Sequence, residues 1–320
     1  MNSSIRLDGK VALVTGAGRG LGRSHALELA ARGARVVVND IGCGLFGEGA
    51  DASIAEEVVR EITAAGGTAI ASTRSIDQPD SARQIVRDAV DAFGRLDIVV
   101  NNAGFLRRRP FLEHTPEMLA SLLAVHVTGS FFVSQAAFEV MLSSGYGRFV
   151  FTTSVGGTRG NPFVAAYGAA KAGVIGLANV VALAGAPHNI KANFISPYAS
   201  TRMEGAMETK SPDERLHQHR EVLTKVLDPR HASAVVVYLA SEECELNHTI
   251  LTVGGGRVAL TATVIGEGWS APHGELLTPE EVRDNLAAIT DLSRATNPIS
   301  SDQEGSAFLR PAIQAAMSTE

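Results

Sequence analysis

Seven short runs of apolar and β-branched residues, each separated from the next by a helix-length stretch, constrain this chain more than any other feature. They are Val11–Thr15, Arg35–Asn39, Thr68–Ser72, Ile98–Asn102, Arg148–Thr152, Lys191–Ile195 and Ile250–Val253. Most are apolar at successive rather than alternate positions, the pattern of strands buried on both faces. Helical periodicity fills the gaps at Gly20–Arg32, Ser53–Ala65, Pro79–Phe93, Pro116–Leu142, Ala165–Gly185 and His231–Leu239. Gly33, Gly66 and Gly94 end three of them, where a helix C-terminus takes a left-handed residue. This alternation predicts an α/β, doubly wound fold with a seven-stranded parallel sheet and right-handed crossovers.

Three stretches depart from the pattern. Ile41–Ala52 is a long Gly-rich loop after the second strand. Pro197–Pro229 is polar and charged, where a substrate lid is expected. Thr261–Glu320 holds Trp269 and a helical pattern at Pro279–Leu292, but it is too short for a core of its own. The expected organisation of the 320 residues is a nucleotide-binding catalytic domain at 1–260 and an extension at 261–320, packed on that domain or on a neighbouring subunit.

A net charge of −6 argues against a nucleic-acid partner, and Arg107-Arg108-Arg109 is the single basic tract. It reads as a solvated loop or as a contact for an anionic substrate tail. Cys43 and Cys244 offer neither a disulfide framework nor metal spacing, so no metal is expected. Met1–Lys10 lacks an apolar signal core, and the expectation is a cytoplasmic protein. Val164–Ala186 is apolar enough for a membrane span, with Lys171 its one charge, yet it also holds Tyr167, Asn179 and four glycines. A helix covered by the sheet and a partner subunit explains it better, so no span is expected.

The first strand runs into Gly16-Ala17-Gly18-Arg19-Gly20-Leu21-Gly22 and then a helix. Such a turn lets backbone N–H groups approach a pyrophosphate at the helix N-terminus, as in a Rossmann fold. Asp40, ending the second strand, is placed to accept from adenosine ribose hydroxyls and repel a 2′-phosphate, which predicts NAD. The plain alternative is that Asp40 caps the loop behind it. Arg19 works the other way, since a basic residue here tolerates a phosphate.

Tyr167 and Lys171 are four apart and share a helix face. A phenol ordinarily titrates near pH 10, and an adjacent ammonium favours the phenolate, making it a usable acid/base. Ser154, just past a buried strand, is placed to hold a carbonyl oxygen. Singly, each has a plain reading: core aromatic, snorkelling lysine, turn former.

In this order and spacing, Thr15 to Gly22, Asn101-Asn102-Ala103-Gly104 and Ser154…Tyr167-x-x-x-Lys171 resemble the short-chain dehydrogenase/reductase family over about residues 7–256. The resemblance implies strand order 3-2-1-4-5-6-7. It also implies that Lys171 binds the nicotinamide ribose, that Asn102, Ala103, Gly104 and Ile76 line the cofactor cleft, and that Pro197 with Ser200 or Thr201 meets the carboxamide. Within the family, Val38–Gly42, Asp91–Asp97, Val125–Phe131 and the tail from Val253 to Glu280 are similar to the (3R)-hydroxyacyl-CoA dehydrogenase subgroup carried by peroxisomal multifunctional enzymes. Three positions depart from the wider family. His126 replaces its catalytic Asn, to hold a relay water or to brace the helix. Arg74 stands where an adenine-contacting Asp is usual, and Tyr198 follows Pro197 in place of Gly.

The resemblance implies an NAD-dependent oxidoreductase acting on a secondary alcohol, foremost a 3-hydroxyacyl-CoA, through Ser154, Tyr167, Lys171 and His126. A hydroxysteroid or other apolar alcohol is the alternative substrate, and a non-catalytic NAD-binding redox sensor the alternative of another class. It implies further that helices 116–142 and 164–186 pair across a two-fold axis in a homodimer or homotetramer.

Overall fold

The computed structural model of the protein describes residues 4–200, 222, 226–272 and 275–317. The chain divides into two compact units, Met1–Leu260 and Thr261–Glu320. Among the described residues, eight strands form one sheet: β1 Val11–Thr15, β2 Arg35–Asn39, β3 Thr68–Ser72, β4 Ile98–Asn101, β5 Gly147–Thr152, β6 Ile190–Pro197, β7 Ile250–Gly254 and β8 Arg257–Thr261. Their order is β3-β2-β1-β4-β5-β6-β7-β8. All pairings from β3 through β7 are parallel.

The expected seven strands are thus corrected to eight. Gly255 and Gly256, both at positive φ (57° and 75°), form the whole connection between β7 and β8. A two-residue turn of that conformation joins antiparallel neighbours, so the last strand closes the sheet as a hairpin rather than as another crossover.

Helices cover both faces. Alternate side chains of β1 divide between two cores. Ala12 and Val14 join α1 (Gly20–Ala31), α2 (Ser53–Ala64) and α8 (Arg230–Ala240), while Val11 and Leu13 join α3 (Pro79–Phe93), α5 (Ser130–Ser144) and α7 (Ala165–Gly185). That two-sided burial is why the strands read as continuous apolar runs. The chain leaves β1 toward β2 on one side and returns from β3 to β4 on the other. The strand order therefore reverses between β1 and β4, and a crevice opens at their carboxyl ends.

The long helix expected over Pro116–Leu142 is interrupted. It begins as α4 (Pro116–Leu123), with Thr115 Oγ1 accepting from Met118 N. It then loosens into a π-bulge at Ala124–Gly129 and resumes as α5. Pro116–Ser144 and Ala165–His188 are both long and apolar enough to cross a membrane, with mean hydropathy 1.4 and 1.6. Each turns one side to the sheet or to neighbouring helices and leaves apolar side chains exposed, among them Phe131, Leu142, Val180 and Leu183.

In the second unit the helix expected over Pro279–Leu292 is two short ones, α9 Pro279–Asp284 and α10 Leu286–Ile289, separated at Asn285. A reciprocal capping box between Thr278 and Glu281 starts α9. Ile265 bridges Thr296 in antiparallel fashion, and α11 spans Ser301–Met317.

His25 lies fully buried between α1 and α8, its Nδ1 2.8 Å from Ser233 Oγ. Burial pushes its imidazole down to about 3. The folded state keeps it neutral while the unfolded chain protonates it below about pH 6.5. Between about pH 6.5 and 3 the unfolded state binds the extra proton, so stability falls as pH falls, by up to about 1.4 kcal/mol per pH unit. Urea midpoints of wild type and His25→Gln at pH 7 and pH 5 check this. The wild type is expected to lose more on acidification; an equal loss would remove His25 as the source.

Candidate active site

The cleft at the switch point has a volume of about 470 Å3. Its walls contain the site residues expected from the sequence except Ser200, which is not among its lining, and Thr201, which lies outside the described residues, as does most of the expected lid at 197–229. Gly16, Arg19, Gly20, Leu21, Gly22, Asp40, Ile76, Asn102, Ala103 and Gly104 line it together with His126, Ser154, Tyr167, Lys171 and Pro197.

At one end the glycine turn is packed against bare backbone. A side chain on Gly22 would overlap the Gly16 carbonyl, and one on Gly16 would lie 2.7 Å from Ala103 Cα. Asn102 staples the turn from the neighbouring strand, its Nδ2 donating to Thr15 O (3.0 Å) and Gly16 O (3.2 Å). Thr15 Oγ1 accepts from Asn102 N and Ala103 N, both at 3.1 Å. The residue before α1, Arg19, supplies no capping side chain. The first-turn N–H groups of this helix are thus open to an anion that the dipole favours. This is the donor set a pyrophosphate needs, so the residues present fit a dinucleotide.

Asp40 does locally what the plain reading expected. Its Oδ2 accepts from Gly18 N and its Oδ1 from Gly42 N, each at 2.7 Å. Those bonds fix the carboxylate on the cleft wall, and each oxygen keeps lone-pair capacity for a further donor. Capping and ligand recognition are therefore compatible. Asn39, unremarked in the sequence, donates to Ser72 O (3.2 Å) and Arg74 O (2.9 Å) and so holds the opposite lip. Arg74 is paired with Asp88 at 3.3 Å.

At the other end Tyr167 and Lys171 share one face of α7, and Ser154 caps the short helix α6 (Val155–Thr158), accepting from Gly156 N at 3.1 Å. The expected ammonium-assisted phenol needs correction in detail. Lys171 is buried, donates to Thr152 O at 2.7 Å, and has Nζ 5.7 Å from the Tyr167 ring centroid. Burial pushes its amine down to about 7. Burial also pushes the Tyr167 phenol up, against a hydrogen bond with Ser154 that pulls it down. For Tyr167 the low-dielectric setting outweighs the bond to Ser154.

His126 sits on the π-bulge, a common device at functional sites. Its Nε2 donates to Phe105 O at 2.9 Å, which makes Nδ1 the acceptor nitrogen. Nδ1 is buried with no partner among the described residues. The ring meets Tyr167 edge-on, centroids 5.4 Å apart. Desolvation first, then the charge of Lys171, hold this imidazole well below its usual range, so it stays neutral. The bracing role has a hydrogen bond to show for it.

This arrangement defines a class: the chain belongs to the short-chain dehydrogenase/reductase family, oxidoreductases that bind a nicotinamide dinucleotide, and the family profile described as short chain dehydrogenase matches residues 10–212. Among individual proteins, it is 40% identical to peroxisomal multifunctional enzyme type 2 of Mus musculus over 93% of this chain, and it spans 39% of that protein's length. It is 36% identical to a hydroxyacyl-CoA dehydrogenase of Mycobacterium tuberculosis, with 88% of each chain covered. The full-length multifunctional enzyme type 2 of Drosophila melanogaster superposes with a TM-score of 0.78 at 34% identity, over 97% of this chain and 50% of that one.

Proposed function

We propose that the protein oxidises the secondary alcohol of a 3-hydroxyacyl-CoA to the ketone with NAD, and catalyses the reverse reduction. The observation that carries this reading is a single cleft with a backbone-lined turn and the Asp40 carboxylate at one end, and Tyr167, Ser154 and Lys171 at the other. The bound dinucleotide supplies the hydride acceptor. Tyr167, as phenolate, takes the hydroxyl proton while Ser154 donates to the substrate oxygen and holds the carbon in place. Lys171, one turn along the helix from Tyr167 and anchored to Thr152 O, carries its positive charge in the share of molecules in which Tyr167 is the phenolate. His126 braces Phe105 and meets the Tyr167 ring edge-on.

The acyl-CoA substrate is supported by the name of the Mycobacterium tuberculosis relative, a hydroxyacyl-CoA dehydrogenase. A steroid or other apolar alcohol is favoured by one feature, the Phe105, Leu106, Val155, Val164 and Tyr198 side chains on the cleft wall. Initial rates of NADH formation on a 3-hydroxyacyl-CoA and on a hydroxysteroid panel separate the two. We expect kcat/KM on the thioester to exceed that on every steroid; the opposite order would replace the substrate and leave the chemistry intact. A second copy of the chain is proposed to cover Phe131, Leu142, Val180 and Leu183, which light scattering checks as a mass of at least a dimer.

A further inference from the structure

The loop between β4 and α4 carries three successive arginines with different surroundings. Arg107 donates from Nη2 to Phe46 O at 2.9 Å, with its guanidinium carbon 5.7 Å from the Phe105 ring centroid, so it ties this loop to the Ile41–Ala52 loop. The backbone of Arg109 donates to Phe163 O at 2.9 Å and its carbonyl accepts from His114 Nε2 at 3.2 Å, which fastens the loop at a second point. Arg108, between them, lines the cleft. Its carbonyl accepts from Arg109 Nη1. Its guanidinium has no hydrogen bond or ion pair among the described residues, and its Nε is buried without a partner. The guanidinium carbon lies 5.9 Å from the centroid of the Phe163 ring.

A half-buried guanidinium with no anion among the described residues is available to one that enters the cleft. Arg74 and Arg95, by contrast, are each paired with an aspartate. A guanidinium fork carried by a doubly fastened loop on a cleft wall is a donor suited to recognising an oxyanion, and a fastened loop loses less entropy on binding.

We propose that Arg108 is a specificity-determining residue, anchoring an oxyanion of the substrate that takes no part in the reaction. The oxyanion is either a phosphate of a coenzyme A handle, the source that rests on the hydroxyacyl-CoA reading above, or the carboxylate of a free hydroxy acid. Such a contact is made equally in ground state and transition state, so its loss raises KM and leaves kcat nearly unchanged.

The test compares wild type with Arg108→Gln and Arg108→Lys on three substrates: a 3-hydroxyacyl-CoA, the same acyl group as its phosphate-free N-acetylcysteamine thioester, and the free 3-hydroxy acid. Arg108→Gln is expected to lose about 10- to 100-fold in kcat/KM on one anionic substrate, with no change on the neutral thioester and partial recovery in Arg108→Lys. Loss on the coenzyme A ester identifies phosphate, and loss on the acid identifies carboxylate. An equal fall on all three, or a fall on none, would overturn the anchor. Titrating both proteins with coenzyme A and with the free acid in the presence of NAD reads the contact without turnover. Weaker binding of either ligand by Arg108→Gln sustains the proposal, and undiminished or absent binding of both overturns it. If wild type oxidises none of the three substrates, the hydroxyacyl reading fails, and these titrations still decide on Arg108.

Discussion

Tyr167→Phe is expected to lose alcohol oxidation by about 100- to 10,000-fold in kcat, the range that a positioned acid/base contributes, while NAD binding changes by no more than about threefold, under about 0.7 kcal/mol. The substitution removes one oxygen and keeps the ring that His126 meets edge-on at 5.4 Å. Packing of α7 against the bulge is therefore preserved, and the lost group is the one that bonds with Ser154. Stopped-flow formation of NADH and a fluorescence titration with NAD give the two quantities separately. Loss of both together would point to a collapsed cleft, and retention of turnover would remove Tyr167 from the chemistry.

On the NAD reading proposed above, Asp40→Asn is expected to lower the ratio of kcat/KM with NAD to that with NADP by about 100-fold, or about 2.7 kcal/mol. The argument is one of charge. The carboxylate is immobilised by Gly18 N and Gly42 N, so it cannot swing away from a 2′-phosphate, and like charges at close range cost several kcal/mol. Asparagine keeps an acceptor for one of those amides and limits disturbance of the turn. Arg19, on the same wall, is then free to meet the phosphate. Comparable losses with both cofactors would mean that Asp40 acts as a loop cap alone.

The main sheet was legible because its strands are buried on both faces and so read as unbroken apolar runs, within a residue or two of the observed ends. β8 was not. Arg257–Thr261 is largely exposed, short, and joined by a two-residue turn, so it carries no double-sided burial signal. The π-bulge hides inside an otherwise good helical period. Its signal is the β-branched cluster Val125, Val127 and Thr128 around His126, which weakens the regular helix locally. In the site, the spacing of Tyr167 and Lys171 showed that they share a face. It did not show the depth of burial that brings the amine to about 7, because that depends on Thr152 arriving on β5 from another part of the chain. The sequence favoured ribose recognition by Asp40 over loop capping, and only the fold shows that the cap and the cleft wall are one carboxylate.

The central claim is that Tyr167 and Lys171 exchange the substrate proton as a coupled pair. The pair with two protons is inactive in oxidation; losing the first proton gives the population that contains the phenolate beside the ammonium. The direct measurement is kcat/KM against pH for alcohol oxidation at saturating NAD, in wild type and in Lys171→Met. In wild type the rate is predicted to rise with pH along a limb with its midpoint at or below about 7, the value burial gives the lysine. In Lys171→Met the limb is predicted to move up beyond the usual phenol range, where burial places Tyr167 alone. A limb at the same pH in both proteins would contradict the account.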